Sequence, residues 1–340
     1  MRIEYLSDSH SARWDSYVGA RAWAVTDLFA WRHVVRESYG IASHFLLAED
    51  NGVCAGALAL YEIRHPVFGH YLATALFGTD GGLFSDSDTA RDALVAEARA
   101  LAIRLKVSYL VIRTRGVELK DFQKDYHLRT ALIPLDGTTE DLLARLPGKT
   151  RNQVRRGQRE GFAVSSGADQ VAAFHDVFHR HMRRLGSPAH SLRYYKAIAL
   201  HLGERAEFFV VRDGTQLVAG ALLCFVNGTA SNLHTVALAE YNARCPNYLL
   251  YWRMMEESRA RGCRQMDLGR SAIGSSQLAF KENWRPNVLP LCYNYFVLQG
   301  GAPRRIDADN PRYRLAIAAW RRMPLFVTRA LGPHLISGIA

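Results

Sequence analysis

No stretch of the sequence reaches the roughly 18 uninterrupted apolar residues that a bilayer-crossing helix needs, which excludes a transmembrane span. The N-terminal "MRIEYLSDSHSARW" has no apolar core of signal-peptide length, so no secretory leader is expected. Cysteine is scarce and scattered. Cys54, Cys224, Cys245, Cys263 and Cys292 are odd in number and form no CxxC pair, which speaks against a disulfide framework and against a zinc knuckle. A reducing cytoplasm fits that usage. Low-complexity linkers are also missing, so any two domains are expected to pack closely. Acidic residues are the deficient charge: 32 Asp and Glu face 43 Lys and Arg, a net charge of +11. That excess favours polyanionic partners, whether RNA, nucleotide-linked substrates or anionic lipid surfaces, and does not choose among them.

What remains is an ordinary globular composition, 49% hydrophobic and 22% charged, over 340 residues, enough for two domains. The sequence also repeats itself. "HFLLAEDNGVCAGALALYEI" (44–63) and "EFFVVRDGTQLVAGALLCFV" (207–226) each read as an apolar strand, an Asp/Gly turn and a second strand carrying Ala-Gly-Ala, the pattern of a hairpin. Further on, "ALVAEARALAIRLKVSYLVIRT" (93–114) and "YLLYWRMMEESRARGCRQMDLGRS" (248–271) each read as a helix running into a short buried strand. Equal order and similar spacing point to a duplicated α/β unit. Strands are predicted near 44–48, 53–62, 70–77, 108–113 and 130–135 in the first half, with helices near 27–37 and 89–105. The second half is predicted to carry helices near 150–160, 169–184, 191–202 and 247–261, and strands near 162–166, 207–212, 216–226, 229–236, 264–268 and 290–298. The boundary falls near 136–149, where "LDGTTEDLLARLPGKT" mixes turn residues with a short helix.

Just after it, "LPGKTRNQVRRGQREGF" (146–162) sets five basic side chains against one acid. Pro147-Gly148 breaks the preceding helix, and Thr150-Arg151-Asn152-Gln153 has the form of a capping box, so a helix is predicted to start there. Arg151, Arg155 and Arg159 then form one stripe. A solvated surface helix is one reading. A grip on phosphates is the other, because the signs are not interleaved for helix-stabilising pairs and a guanidinium forks onto phosphate oxygens.

Three segments, "KTRNQVRRGQREGF", "RCPNYLLYWRMMEESRARGCRQMDLGRS" and "GSSQLAFKENWRPNVLPLCYNYF", together resemble the FemAB family, most of all its branch associated with exosortase and exopolysaccharide loci. The resemblance covers most of residues 28–300, and the terminal "NPRYRLAIAAWRRMPLFVTRALGPHL" is similar to that branch's tail. It implies an α/β (α+β) fold of two tandem GNAT-like domains, with mixed sheets flanked by helices. The expected division is residues 1–145, residues 146–303 and a basic amphipathic tail from 304 to 340. It also implies an N-acyltransferase that moves an aminoacyl group from aminoacyl-tRNA to an amine on a peptidoglycan-type, cell-envelope or exopolysaccharide precursor. By position, Lys149, Arg151, Arg155, Arg156 and Arg159 would face the acceptor. Phe280 and Lys281 match the Phe-Lys pair beside the reaction centre, and Arg270 and Ser271 the Gly-Arg-Ser segment leading to it. Thr79, Asp80 and Gly81, in "LFGTDGGLFSDSD", become cleft residues. Where the branch reads Phe-Lys-x-x-Trp-Gly, Arg285 and Pro286 follow Trp284. The long coiled-coil arm of some peptidoglycan members has no counterpart.

Amide formation needs a neutral amine near a carbonyl and a stabilised oxyanion. Lys281 is the candidate for the fixed charge, and Asp80 and Asp267 are candidate bases. Acetyl-CoA users of this fold carry a glycine-rich turn at a helix start. The equivalent "EYNARCPNYLLYW" lacks it, leaving Asn247 and Tyr248 as candidate donor contacts. No resident cofactor is expected; aminoacyl-tRNA or an acyl thioester would be the co-substrate. A non-catalytic module recognising an anionic glycan or lipid is the rival class. His175 and His179 stand one turn apart, as metal ligands can, but lack a third ligand and read as structural. In the tail, Leu315, Ala319, Met323 and Phe326 can share a face beside Trp320, flanked by Arg314, Arg321 and Arg322, with Pro324 interrupting the helix. That face can dock on the domains or lie on an anionic membrane, which would make a cytoplasmic protein peripheral to the inner face.

Overall fold

The computed structural model describes residues 1–298 and 314–339. In chain order the strands are β1 (Arg2–Leu6), β2 (Ala42–Asp50), β3 (Val53–His65), β4 (Gly69–Ala73), β5 (Leu83–Ser85), β6 (Tyr109–Thr114), β7 (Gln123–Asp125), β8 (Leu128–Pro134), β9 (Ala163–Ser166), β10 (Ala206–Asp213), β11 (Gln216–Val226), β12 (Thr229–Ala237), β13 (Gln265–Ala272), β14 (Asn287–Pro290) and β15 (Cys292–Val297). The helices are α1 (Ser11–Val18), α2 (Phe29–Tyr39), α3 (Asp88–Arg104), α4 (Thr139–Arg145), α5 (Gly148–Arg159), α6 (Val171–Leu185), α7 (Leu192–Leu202), α8 (Pro246–Ala260), α9 (Ser276–Glu282), α10 (Arg314–Arg322) and α11 (Leu325–Ile336).

These strands build two mixed sheets. One runs β1-β2-β3-β4-β6-β15-β7, with β5 beside β3; the other, read from its far edge, runs β9-β10-β11-β12-β13-β8-β14. Position for position the orders match, so the duplication legible in the sequence is a duplication of sheets. The hairpins share a plan and differ at their turns, the second having only Gly214 at positive φ. Asn51 and Gly52 both take positive φ (49° and 81°), the geometry of the tight turn that joins β2 to β3. In each hairpin the register slips once at the Ala-Gly-Ala triplet, leaving Ala55, its first residue in β3, and Val218, the residue just before it in β11, without a directly opposed partner. The glycines of those triplets admit helices at close range. A Cβ on Gly56 would meet Leu94 of α3 at 2.8 Å, and one on Gly220 would meet Val177 and Phe174 of α6 at 3.0 and 3.1 Å.

Two expected strands change sides. The strand predicted near 130–135 for the first half is β8, which hydrogen-bonds between β13 and β14 in the second sheet. The strand predicted near 290–298 for the second half is β15, which lies between β6 and β7 in the first. Each sheet is completed by a strand from the other half of the chain. β1, α1, β5, β7, α9 and β14 escape prediction because they are short; β7 is the polar edge tripeptide Gln123–Asp125. The two halves share one apolar core through α2 and α7, where Trp31 meets Tyr194 edge-on at 6.1 Å and Tyr39 meets Tyr194 at 5.8 Å. Ser191 starts α7 by accepting from the Tyr194 amide.

Helix α5 begins at Gly148 with Pro147 as its cap, two residues before the expected capping box. Thr150 is buried and its hydroxyl donates to the Asn283 carbonyl instead, tying α5 to the end of α9. The tail breaks at Pro324, as its ring requires. It docks on the body, yet not by the expected face. Ile317 packs on Gly186, and Trp320, Thr328 and Gly332 are the buried positions of the two helices, while Leu315 and Phe326 stand 85% and 74% exposed. Residues 304–313 and residue 340 of the expected tail lie outside the described residues.

Candidate active site

Strands β12 and β13 run parallel for only three pairs, Thr229–Ser231 against Gln265–Asp267, and then part. Both strands are irregular where they diverge. The register of β11 on β12 slips past Leu233, and that of β13 on β8 slips between Asp267 and Arg270. Gly269, at φ 73°, takes the left-handed turn that this slip needs. The wedge so opened is the floor of a cleft of about 660 Å³. Its walls come from the loop Phe77–Thr79, the end of α6, the starts of α8 and α9, and the end of the tail (Ile336 and Ile339). In the first half, β4 and β6 part in the same way after three pairs. There the chain plugs its own gap: the Thr74 amide donates to the Val111 carbonyl, the Thr74 hydroxyl accepts from the Arg113 amide, and the Gly81 amide donates to the Arg113 carbonyl.

Lys281 projects from α9 into the cleft and is 8% exposed. Its Nζ donates to the carbonyls of Gly269 (2.8 Å) and Arg270 (3.1 Å), which the β13 bulge presents. An ammonium carries three N–H donors, so one is left for a ligand. Burial, opposed by nearby Asp267 and reinforced by Arg270, brings its pKa down to about 8. Lys281 is therefore mainly cationic at neutral pH and close to losing that charge. Arg270 also lines the cleft and donates to the Tyr293 hydroxyl (3.0 Å), which donates in turn to the Thr79 carbonyl (2.9 Å). Phe280 and Asn247 line it too. Asn247 is not the cap of α8: Cys245, at φ 60°, holds that place and Pro246 opens the helix. Tyr248 lies outside the lining and packs its ring on Phe280 at 5.4 Å.

The two carboxylates named from sequence sit behind the cleft wall. Arg115 donates through Nε and an Nη to Asp80 (3.1 and 2.9 Å) and through the same Nη to Asp267 (3.0 Å). Asp267 further accepts from the Thr130 hydroxyl (2.7 Å) and the Gly269 amide (2.8 Å). Burial pushes the pKa of Asp80 up. The trio ties the first half's loop to β13 of the second sheet, and neither carboxylate lines the cleft. Gly81 faces the buried Asp27 carboxylate, and the Ser271 hydroxyl is buried without a partner.

Helix α5 lies against the first turn of α8, with Gly157 on Cys245 and Leu249. Arg156 and Arg159, with Asn152, Gln153 and Glu160, line a second, open hollow of about 670 Å³ along α5 and its C-terminal cap. Arg155 and Lys149 are exposed, and Arg151 donates to the Ala144 carbonyl of α4. The basic helix thus adjoins the start of α8 but shares no lining residue with the Lys281 cleft.

Sequence reasoning missed one wall entirely. Asn232 and Thr235 share a 2.6 Å hydrogen bond, and Asn232 reaches the Tyr251 hydroxyl at 3.5 Å. On the same strand, burial lowers the pKa of His234 to about 4, and its Nε2 is buried without a partner. His190 stacks on Tyr194 at 4.1 Å. His175 and His179 pack within the α6 layer, and among the described residues no group of three metal-binding side chains forms.

Residues 148–282 match the family model of an acetyltransferase (GNAT) domain, so the second half carries a GNAT acyltransferase domain. No curated protein matches the chain in sequence. Among solved structures, FemX aligns over 93% of this chain and 100% of its own, with TM-score 0.66 and 16% identity. The C-terminal domain of a candidate lysylphosphatidylglycerol synthetase from Agrobacterium fabrum aligns over 85% of this chain and 92% of its own (TM-score 0.53, 14% identity). A tandem GNAT protein from the clavulanic acid biosynthesis pathway aligns over 88% and 100% (TM-score 0.54, 14% identity). At such identities the likeness is one of fold: two GNAT units in tandem.

Proposed function

We propose that the chain is a FemAB-type N-acyltransferase that moves an aminoacyl group from aminoacyl-tRNA to an amine on an anionic cell-envelope or exopolysaccharide precursor. The observation that carries this reading is Lys281: a buried ammonium, fixed by two backbone carbonyls at the floor of a strand-splay cleft, with one donor to spare. In that place it meets the oxygen of a donor carbonyl. As the acceptor nitrogen adds to the carbonyl carbon, the oxyanion forms against a charge already in position. The C–N bond then replaces the C–O bond to the ribose, and the proton shed by the amine leaves on the ribose hydroxyl. Asp80 and Asp267 act by holding Arg115 and, through it, the bulged segment that orients Lys281; neither lines the cleft in which the acyl group would react. Arg156 and Arg159 offer guanidinium forks to phosphates beside the start of α8.

The α8 start supports this donor over acetyl-CoA. Its first turn is opened by Cys245 and Pro246, with no glycine-rich cradle for a pyrophosphate. The second reading, an acyl-thioester donor on the same cleft, is favoured by the acetyltransferase description of the matching domain. Ribonuclease separates the two. With purified protein and an acceptor extract, ribonuclease treatment of the donor is expected to stop transfer, and acyl-CoA is expected not to restore it. Transfer that survives ribonuclease moves the assignment to the thioester.

A further inference from the structure

The tail turns one face to the body and another outward, and the outward face has its own chemistry. Between Arg314 and Ile339 there are four arginines and no carboxylate. Two of those arginines are occupied: Arg321 donates to the Leu185 carbonyl and Arg329 pairs with Asp176. Arg314 and Arg322 are exposed, one at each end of α10. With them stand Leu315 and Phe326, 85% and 74% exposed, and Leu331 at 46%. Helix α6, on which the tail packs, adds Arg180, Arg183 and Arg184 and a single carboxylate, Asp176, which the arginines already pair. The combined surface is therefore basic with apolar side chains standing out of it.

Large side chains held out in water, when the same two helices have Trp320 and Ile317 turned inward, need a cover that the described residues do not supply. Phosphates alone do not cover them. A layer that offers hydrocarbon beneath a negative surface satisfies both the apolar and the cationic groups. The position fits as well. The same tail delivers Ile336 and Ile339 to the cleft wall, and α6 delivers Met182, Arg184 and Leu185. The tail is pinned across to the first half, where the Tyr71 hydroxyl donates to the Gly338 carbonyl (2.8 Å).

We propose that the outer face of the docked α10–α11 hairpin, formed by Arg314, Leu315, Arg322 and Phe326, seats the protein on an anionic lipid surface beside the cleft. Binding is interfacial: Leu315 and Phe326 enter the headgroup boundary while the arginines pair with lipid phosphates, and the hairpin keeps its inner contacts. Only the purpose of this seat, bringing a lipid-linked acceptor to the cleft, rests on the transferase reading; the binding itself needs no turnover.

The experiment is sedimentation of the full chain with vesicles of phosphatidylcholine alone and of phosphatidylcholine with 30% phosphatidylglycerol (about a third anionic lipid, enough to create a strong surface potential). The full chain is expected to sediment with the anionic vesicles only, and to be released by salt. Leu315→Glu with Phe326→Glu is expected to reduce binding at least tenfold with an unchanged melting temperature, since both side chains are exposed. Arg314→Gln with Arg322→Gln is expected to weaken both binding and its salt dependence. No sedimentation of the full chain, or equal sedimentation of the folded Leu315→Glu/Phe326→Glu protein, overturns the proposal.

Discussion

Lys281 is the residue on which the proposed chemistry turns, and its environment predicts a pH dependence. Its ordinary pKa is near 10.4, and burial brings it to about 8 in the folded protein. The charge that would meet the oxyanion is therefore present below pH 8 and lost above it. Transfer is expected to fall along a limb centred near pH 8. In Lys281→Arg, a guanidinium keeps its charge far above that pH, so the residual rate should lose the limb. A pH–rate profile of both proteins checks this; the same limb in the arginine variant would place the titrating group elsewhere. At this scale the sequence was informative where a motif exists. Lys281, Arg270, Phe280, Asn247 and Thr79 were named from it, and all line the cleft. Asn232, His234 and Thr235 were not, because a strand bordering an opening reads like any other strand. What sets β12 apart is that its neighbour departs after Ser231, a fact of pairing rather than of spacing.

Elements were legible to the extent that their signals are local. The turn chemistry of Asn51-Gly52 fixes one hairpin, and the apolar runs around it give β2 and β3 to within two or three residues at their ends. Pairing at the sheet ends is not local, which is why β8 and β15 were credited to the wrong halves. The exchange has a consequence for autonomy. A fragment of residues 1–145 retains β8, whose sheet it lacks, and loses β15, which covers β6 and β7. Unpaired strand edges of this kind leave backbone groups unsatisfied and invite association. The fragment is expected to melt without a cooperative transition, or to aggregate, while the full chain melts as one unit. Differential scanning calorimetry reads this directly, and a sharp two-state transition for the fragment would show that the exchanged strand is dispensable.

Taken as a molecule, the chain is two copies of one sheet, of which one has closed its gap and the other has kept it open. Segment 74–82 plugs the first; Lys281, Arg270 and the wall of β12 furnish the second. The duplication was readable because both copies retain the Ala-Gly-Ala hairpin, but nothing in either copy announces which gap is open. That difference arises from how the 74–82 loop folds back, and from Arg115, which ties that loop to β13 through Asp80 and Asp267. The basic excess resolves into two places, helix α5 beside the start of α8 and the surface shared by α6 and the tail, and both flank the open copy. The proposed transfer requires that an acyl group change hands in the second gap and that Lys281 be the charge that receives the oxyanion. The measurement that tests this most directly is single-turnover transfer of a labelled aminoacyl group by Lys281→Ala, with the melting curve taken on the same sample. Losing one such donor typically costs about 2.7–4 kcal/mol of barrier, so a folded variant slowed by roughly 10²–10³-fold is the predicted result. A folded variant that transfers at the wild-type rate would contradict it.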